Sequence, residues 1–393
     1  MSTTAKDFTA QPLPSWRRAV LKVGSSLLAG TADRPSDNGL DPRYAAELAQ
    51  FIAAARAQGR EVVLVSSGAV AAGRGRIHTG GDGLVLRQAL AALGQASLVS
   101  FWQSLSPAPV AQVLLTHDDL RHRRRYLNAR ATLRELLRLG ALPVINENDT
   151  VAVDELKLGD NDNLAAAVAS LVDADLLLIA TDIGGLYSGH PQRDPDARPI
   201  ERVSAVTPDL LQAASGGAGA LGTGGMRTKL EAGAKAAMAG VATALFCGRD
   251  AQVVRALSEG RLHGTLIAAR RDRARARKQW LRHAPASGAL SIDAGAVAAL
   301  QGRGASLLPG GVVTVSGEFR RGDVLELRPH DDPAAPPLAR GLAQYNAAET
   351  RRIAGRHSRD IEALLGFRYG EEVVHRDDLV LLDTQPADLE TPA

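Results

Sequence analysis

Six short apolar runs punctuate the first 270 residues: Ala19–Val23, Val62–Val65, Val110–Leu115, Leu142–Ile145, Leu176–Ala180 and Val241–Phe246. Runs this short, with no polar alternation, read as strands buried on both faces. Helical patterns lie between them at Pro42–Ala57, Tyr126–Leu139, Asn161–Val172 and Met226–Ala239. Asp41-Pro42 supplies a cap and a first-turn proline, and Gly140 ends the second of these helices. Strands alternating with helices build a mostly parallel sheet sandwiched by helices, an α/β fold. Ligands of such sheets bind beyond the C-terminal ends of the strands, so the residues that follow each run are the ones to read for chemistry.

The pattern breaks at Arg270–Arg282, which holds seven basic residues and one acid, with Pro285 just beyond. Further on, Val312–Val315, Val324–Leu327 and Leu379–Leu382 read as strands and Ser358–Leu365 as a helix, the makings of a small, mostly β barrel. The expected organisation is a first domain over 17–270, an Arg-rich linker over 271–284, a second domain over 285–384 and a disordered tail over 385–393. Charge divides along the same line. The formal net charge of +3 splits into +8 for residues 1–284 and −5 from Pro285 onward, where eleven arginines and no lysine face sixteen acids. A total of +3 does not by itself imply a polyanionic partner.

The lone Cys247 excludes a disulfide framework and Cys-based zinc chemistry, and fits a buried thiol in a reducing cytoplasm. Ser15-Trp16-Arg17-Arg18 imitates a twin-arginine export signal, but Lys22, Gly24, Ser25 and Ser26 interrupt the apolar stretch behind it. No run approaches the ~18 uninterrupted apolar residues of a membrane span, so none is expected.

The turns after the runs are rich in polar and glycine residues. Lys22-Val23-Gly24-Ser25-Ser26 ends the first run, and its amides can face an anion beside the lysine. Ser66-Ser67-Gly68-Ala69 follows the second run, either as ligand donors or as a helix cap. Asn146-Glu147-Asn148-Asp149 follows the fourth, and four such residues against a buried run exceed ordinary turn chemistry. Asp160-Asn161-Asp162-Asn163 opens a helix and could hold an ammonium group, a lysine or a metal ion; EF-hand spacing is absent. Thr181-Asp182 precedes Gly184-Gly185-Leu186-Tyr187. The glycine-rich Gly216–Gly225 enters a helix with Lys229 in its first turn, an arrangement suited to phosphate although the Walker A spacing is missing.

Two lysines, Lys22 and Lys229, on phosphate-cradling turns with acids between them suit phosphoryl transfer, whose catalysis is chiefly positioning and charge neutralisation. No histidine lies in these motifs. That fits a carboxylate acceptor, which at a reference pKa of ~4.3 arrives deprotonated and needs no general base.

Taken in order, LKVGSS, VSSGAVAAG, INENDTVAVDELKLGDNDNL, TDIGGLY and GTGGMRTK resemble the amino-acid kinase family over about residues 17–270. GDNDN and GTGGMRTK are the most specific of these. SLLPGGVVTVSGEFRRGDV and GLAQYNAAETRRIAGRHS resemble the PUA domain appended to many bacterial members. The resemblance implies the amino-acid kinase fold and ATP-dependent phosphorylation of the γ-carboxylate of L-glutamate, the first step of proline biosynthesis. It implies that Lys22 and Lys229 touch the phosphates and that Asp162 holds both lysines. Ser67, Asp149 and Asn161 would bind glutamate, with Asp149 on its ammonium. Gly24, Thr181, Asp182, Thr223, Gly224, Gly225, Met226, Arg227, Thr228 and Lys229 would line the ATP site, with Mg2+ arriving on the nucleotide and held mostly by phosphate oxygens. It also implies feedback inhibition by proline, delivery of the product to glutamyl phosphate reductase, and a homo-oligomer. The alternatives are a sister kinase for N-acetylglutamate, aspartate or a nucleotide, and an RNA-binding protein that works through its PUA domain. The net charge of −5 on that domain weighs against RNA. Arg121–Arg125 reads as a solvated or intersubunit surface, with a regulatory role as the other option.

Overall fold

The computed structural model describes residues 8–30, 39–77, 79–152, 161–189, 191, 194, 196–214, 225–270, 281–332 and 335–382. Several sequence expectations lie outside them: Asp160, residues 216–224 of the glycine-rich run with Thr223 and Gly224, most of the Arg-rich stretch, and the tail. The chain divides into two compact units, Met1–Arg271 and Asp272–Ala393.

Eight strands form the sheet of the first unit: β1 (Arg18–Val23), β2 (Glu61–Ser66), β3 (Val110–Leu115), β4 (Leu142–Glu147), β5 (Leu176–Thr181), β6 (Arg202–Val203), β7 (Ala242–Cys247) and β8 (Gly264–Ile267). Their order is β3-β4-β2-β1-β5-β7-β8-β6, and every adjacent pair is parallel except β7 with β8. The helices are α1 (Pro42–Ala57), α2 (Ala69–Arg76), α3 (Leu84–Leu105), α4 (Arg123–Arg138), α5 (Asn161–Leu171), α6 (Met226–Met238) and α7 (Ala251–Ser258), with shorter turns between. Asp41 caps α1 through the amide of Arg43 ahead of Pro42, as the sequence leads one to expect.

Alternation along each strand sorts the core into two layers. Ala19, Leu21 and Val23 of β1 face α1, α2, α3 and α7, through Leu48, Ala72, Leu98 and Val254. Val20 faces the opposite layer, where Leu133 of α4, Leu164 and Val168 of α5, and Leu230 of α6 are buried. Lys22 shares the Val20 side of the pleat.

Two features extend the first unit beyond the boundaries expected from sequence. Gln11–Pro12 pairs antiparallel with Arg261–Leu262, and buried Phe8 meets Tyr187 edge-on at 5.2 Å, so residues before 17 belong to it. α3 is long and apolar enough to cross a membrane by length and composition, a test that core helices of soluble proteins also pass. Here it buries Leu90, Ala91, Gly94, Gln95, Leu98 and Trp102 within this unit.

The second unit has a five-stranded sheet of β9 (Gly288–Ile292), β10 (Val312–Gly317), β11 (Val324–Pro329), β12 (Ala339–Leu342) and β13 (Leu379–Leu381), in the order β10-β9-β11-β12-β13. Its helices Ala294–Arg303, Ala347–Ile353 and Ile361–Leu365 outnumber the single one expected. Leu281 and Ala284 pack on Val324, Leu342 and Val380, so the end of the expected linker belongs to this unit.

Candidate active site

The chain leaves β1 for β2 on one side and later returns to β5 on the other, so the C-terminal end of β1 is the topological switch point where open α/β sheets take their ligands. Lys22 lies there, 5% exposed and directed to the layer of α5 and α6. Both helices present their N-terminal turns at this edge: Asp162 is the second residue of α5, and Lys229 the fourth of α6. Lys22 Nζ stands 2.7 Å from Asp162 Oδ1 and Lys229 Nζ 3.3 Å from Asp162 Oδ2. The Thr228 hydroxyl is 2.9 Å from Asp162 Oδ2 and 2.9 Å from the Gly225 carbonyl, and its single proton serves one of them at a time.

Asp162 is 1% exposed. Burial alone would raise its pKa, but the charges of Lys22 and Lys229 and the hydrogen bonds to Lys22 and Thr228 outweigh it and bring the carboxyl down to about 2. Lys229 moves below the ordinary lysine value: its loss of hydration and the repulsion of Lys22 outweigh the attraction of Asp162 and Asp182. One carboxylate thus locks two ammonium groups, leaving a net positive charge aimed at the sheet edge. Of the three partners left open for the Asp/Asn run, lysine is the one Asp162 takes; Asn163 likewise accepts from Lys235 Nζ at 2.5 Å.

One residue earlier on α5, Asn161 serves a second cluster. Its Nδ2 donates to Ser67 Oγ at 2.7 Å and to Asn146 Oδ1 at 3.0 Å. Ser67 does not cap α2; Gly68 occupies that position at φ +112°, which leaves the serine hydroxyl to the site. Asn146 is buried at the end of β4, and Asp149 lies half-buried three residues on, past a turn in which Val151 N and Ala152 N donate to the Asn148 carbonyl. Asn146 joins Ser67 and Asn161 although the spacing singles it out from Glu147 and Asn148 in no way.

On the other flank, Thr181 Oγ1 donates to Asp182 Oδ1 at 3.2 Å. Arg249 donates to the Ser26 carbonyl at 3.2 Å and stands 3.9 Å from Asp182 Oδ2, tying the turn after β1 to the end of β5. In the sequence its one signal is a cation two positions past the end of β7. A side chain at Gly24 would come within 3.4 Å of Lys22 Nζ. Arg227 turns to Glu231 on the exposed side of α6. Arg125 pairs with Asp119 at the surface. Cys247 ends β7, buried as expected, and its burial raises the thiol pKa. Among the described residues, no three His, Cys, Asp or Glu side chains gather to hold a metal ion.

Paired ammonium groups set on one carboxylate, with two helix N-termini converging beside them, create a standing field for a transferring phosphoryl group, the working part of a small-molecule phosphotransferase. Comparison with known proteins narrows that class. The sequence matches the model of the amino acid kinase family over residues 17–247 and that of the PUA domain over residues 288–365. It is 64% identical over 367 residues to the glutamate 5-kinase of Xanthomonas euvesicatoria pv. vesicatoria (strain 85-10), covering 92% of this chain and 100% of that one. To the glutamate 5-kinase of Xylella fastidiosa (strain 9a5c) it is 61% identical over 380 residues, 95% of this chain and 98% of that one. A solved UMP kinase from Bacillus anthracis aligns over 65% of this chain and 98% of its own, with a TM-score of 0.46 and 17% identity. The chain belongs to the amino acid kinase family, whose members use ATP, and carries a PUA domain after the kinase domain.

Proposed function

We propose that this protein transfers the γ-phosphoryl group of ATP to the γ-carboxylate of L-glutamate, giving γ-glutamyl phosphate and ADP in the first step of proline biosynthesis. The observation that carries this reading is the division of labour at the start of α5. Asp162 organises two cations suited to phosphate, and the adjacent Asn161 organises uncharged donors and acceptors suited to an amino acid. Near-complete coverage of the two glutamate 5-kinases supports the choice of acceptor.

On this reading a γ-carboxylate oxygen attacks the γ-phosphorus and the bond to the β–γ bridging oxygen breaks, its electron pair leaving with ADP. Lys22 and Lys229 neutralise charge on the moving group, and Asp162 keeps their ammonium groups in place. Ser67 and Asn161 hold the amino acid, with Asp149 on its ammonium. Gly24, Thr181, Asp182 and the start of α6 border the nucleotide, and Arg249 braces that border. Mg2+ enters with ATP and draws its ligands chiefly from phosphate oxygens and water. The same reading expects proline as feedback inhibitor, glutamyl phosphate reductase as the next enzyme, a homo-oligomer and a cytoplasmic location.

Purified protein with ATP, Mg2+, glutamate and hydroxylamine is expected to yield γ-glutamyl hydroxamate, and less of it with proline present. Absence of hydroxamate under all conditions refutes the assignment. N-acetylglutamate is expected not to substitute, because acylation removes the ammonium that Asp149 would meet; efficient turnover of it would point to a sister kinase.

A further inference from the structure

Beyond the residues that can touch substrate, a line of amides continues from Asn161 into the core. Asn146 Oδ1 accepts from Asn161, and Asn146 Nδ2 donates to Gln95 Oε1 at 3.0 Å. Gln95 is 7% exposed, in the otherwise hydrophobic buried stripe of helix α3. Its Nε2 is buried and has no hydrogen-bond partner among the described residues. An apolar side chain here would bring no stranded donor of its own but would leave Asn146 Nδ2 without its acceptor, so what glutamine adds at this position is its acceptor oxygen.

The backbone gives that oxygen little freedom. A Cβ on the neighbouring Gly94 would lie 1.9 Å from the Ala69 carbonyl oxygen, and one on Gly73 would lie 2.0 Å from that of Leu90. α2 and α3 therefore meet backbone to backbone, which seats the stretch of α3 that carries Gln95 closely against α2.

A carboxamide has donors on one side and an acceptor on the other, so the orientation of one fixes the next. With Gln95 Oε1 fixed, Asn146 turns its NH2 inward and its oxygen toward Asn161. Asn161 must then spend both N–H groups, on Asn146 and on Ser67. Its own oxygen remains an acceptor, and the Ser67 hydroxyl, already accepting, keeps its proton to donate. An acceptor and a donor prepared in this way match an ammonium group and a carboxylate.

We propose that Gln95 is a positioning residue for amino-acid recognition: from inside the core it sets the Asn146 amide, and through it leaves Asn161 as the acceptor for the substrate ammonium and Ser67 as the donor to its carboxylate. The proposal rests on the glutamate reading above. Gln95→Met keeps length and removes the acceptor, whereas Gln95→Glu keeps an acceptor toward Asn146. In the full chain, Gln95→Met is expected to raise the KM for glutamate about tenfold, the worth of one hydrogen bond, while the KM for ATP stays within about twofold. Thermal stability is expected to change little, since the variant removes the stranded Gln95 donor and strands one on the buried Asn146 in its place. Gln95→Glu is expected to recover part of the loss, and in an Asn146→Ala background Gln95→Met is expected to add nothing further. Equal rises in both KM values, an unchanged glutamate KM, or a full effect persisting without Asn146 would each overturn the proposal. Side-chain NH2 resonances of protein labelled with 15N-asparagine give a readout without substrate. Slow solvent exchange of the Asn161 NH2 in the parent and faster exchange in Gln95→Met supports the relay; identical exchange overturns it. If the parent instead turns over a different substrate, the glutamate reading fails, and the NH2 exchange still decides the relay.

Discussion

At the scale of single residues, the cluster of Lys22, Asp162 and Lys229 ties catalysis to pH in a way that can be signed. Asp162 titrates at about 2 in the folded chain against an ordinary 3.8, so its contribution to stability is complete above the ordinary value and is lost as pH falls from there through about 2. It cannot produce an acid limb near neutrality. Lys229 gives up its proton below the ordinary lysine value of 10.5. In that window the unfolded chain holds more protons than the folded one, so this term makes stability rise with pH while the cation needed for transfer disappears. Turnover is therefore expected to fall on the alkaline side before ordinary lysine titration, and Lys229→Arg, where active, is expected to move that limb upward in a kcat–pH profile. Lys229→Ala is expected to lower kcat by about 10²–10³, the ~2.7–4 kcal/mol of one preorganised charge, with the fold kept. Near-normal turnover in that variant would refute the role. The two lysines are conspicuous in a chain with six lysines and forty arginines. What spacing alone left open was whether the Asp/Asn run meets an ammonium, a lysine or a metal, because residues 22, 162 and 229 meet only through the order of the strands.

At the scale of elements, the α2–α3 crossing leaves the least room for a side chain at any glycine among the described residues. Gly94→Ala drives a methyl into the Ala69 carbonyl, so a loss of about 1–3 kcal/mol or more is expected in denaturant unfolding, with a higher glutamate KM because Gln95 and Ser67 flank this contact. A variant as stable as the parent would show that the helices can part without cost. The apolar runs in the sequence locate β1 to β5 and β7 to within a residue or two; all of these but the edge strand β3, whose Gln112 is exposed, are buried on both faces and so leave no other pattern. α2 and α3 are harder to read. α2 carries two glycines in eight residues, a poor helix former by propensity, and one of them, Gly73, lets α3 close on it at Leu90. Gln95 was illegible for a related reason: it is one of three glutamines on α3, and nothing in the sequence marks it by its partner fifty-one residues away. In the second unit, β9 and β12 are short strands with a glycine and one polar residue each, Ser291 and Arg340, so their pairing partners define them more than their own composition does.

At the scale of the whole molecule, every residue assigned to the site lies in Met1–Arg271, and each unit has core clusters of its own. Residues 1–271 expressed alone are therefore expected to keep glutamate-dependent ATP turnover within about an order of magnitude, whereas the second unit alone shows none. What that second unit binds can be argued from charge. Nucleic-acid affinity depends on Lys and Arg free to neutralise phosphates, and each such contact releases counterions and steepens the salt dependence. From Pro285 onward there are eleven arginines, no lysine and sixteen acids. Several of those arginines are already answered within the unit: Arg328 and Arg340 both reach Glu326 at 2.8 Å, and Arg351 reaches Glu318 at 2.8 Å. The carboxyl of Glu326, although burial alone would raise it, is drawn below its ordinary pKa by its hydrogen bonds to the two arginines and by their charges, so that pairing holds at neutral pH. A phosphate backbone would have to displace these carboxylates and then face the remaining acids. The full chain is accordingly expected not to retard tRNA at about 0.15 M salt. Retardation that weakens steeply as salt is raised, and is lost on deleting the second unit, would overturn that expectation and mark the PUA domain as an RNA-binding module.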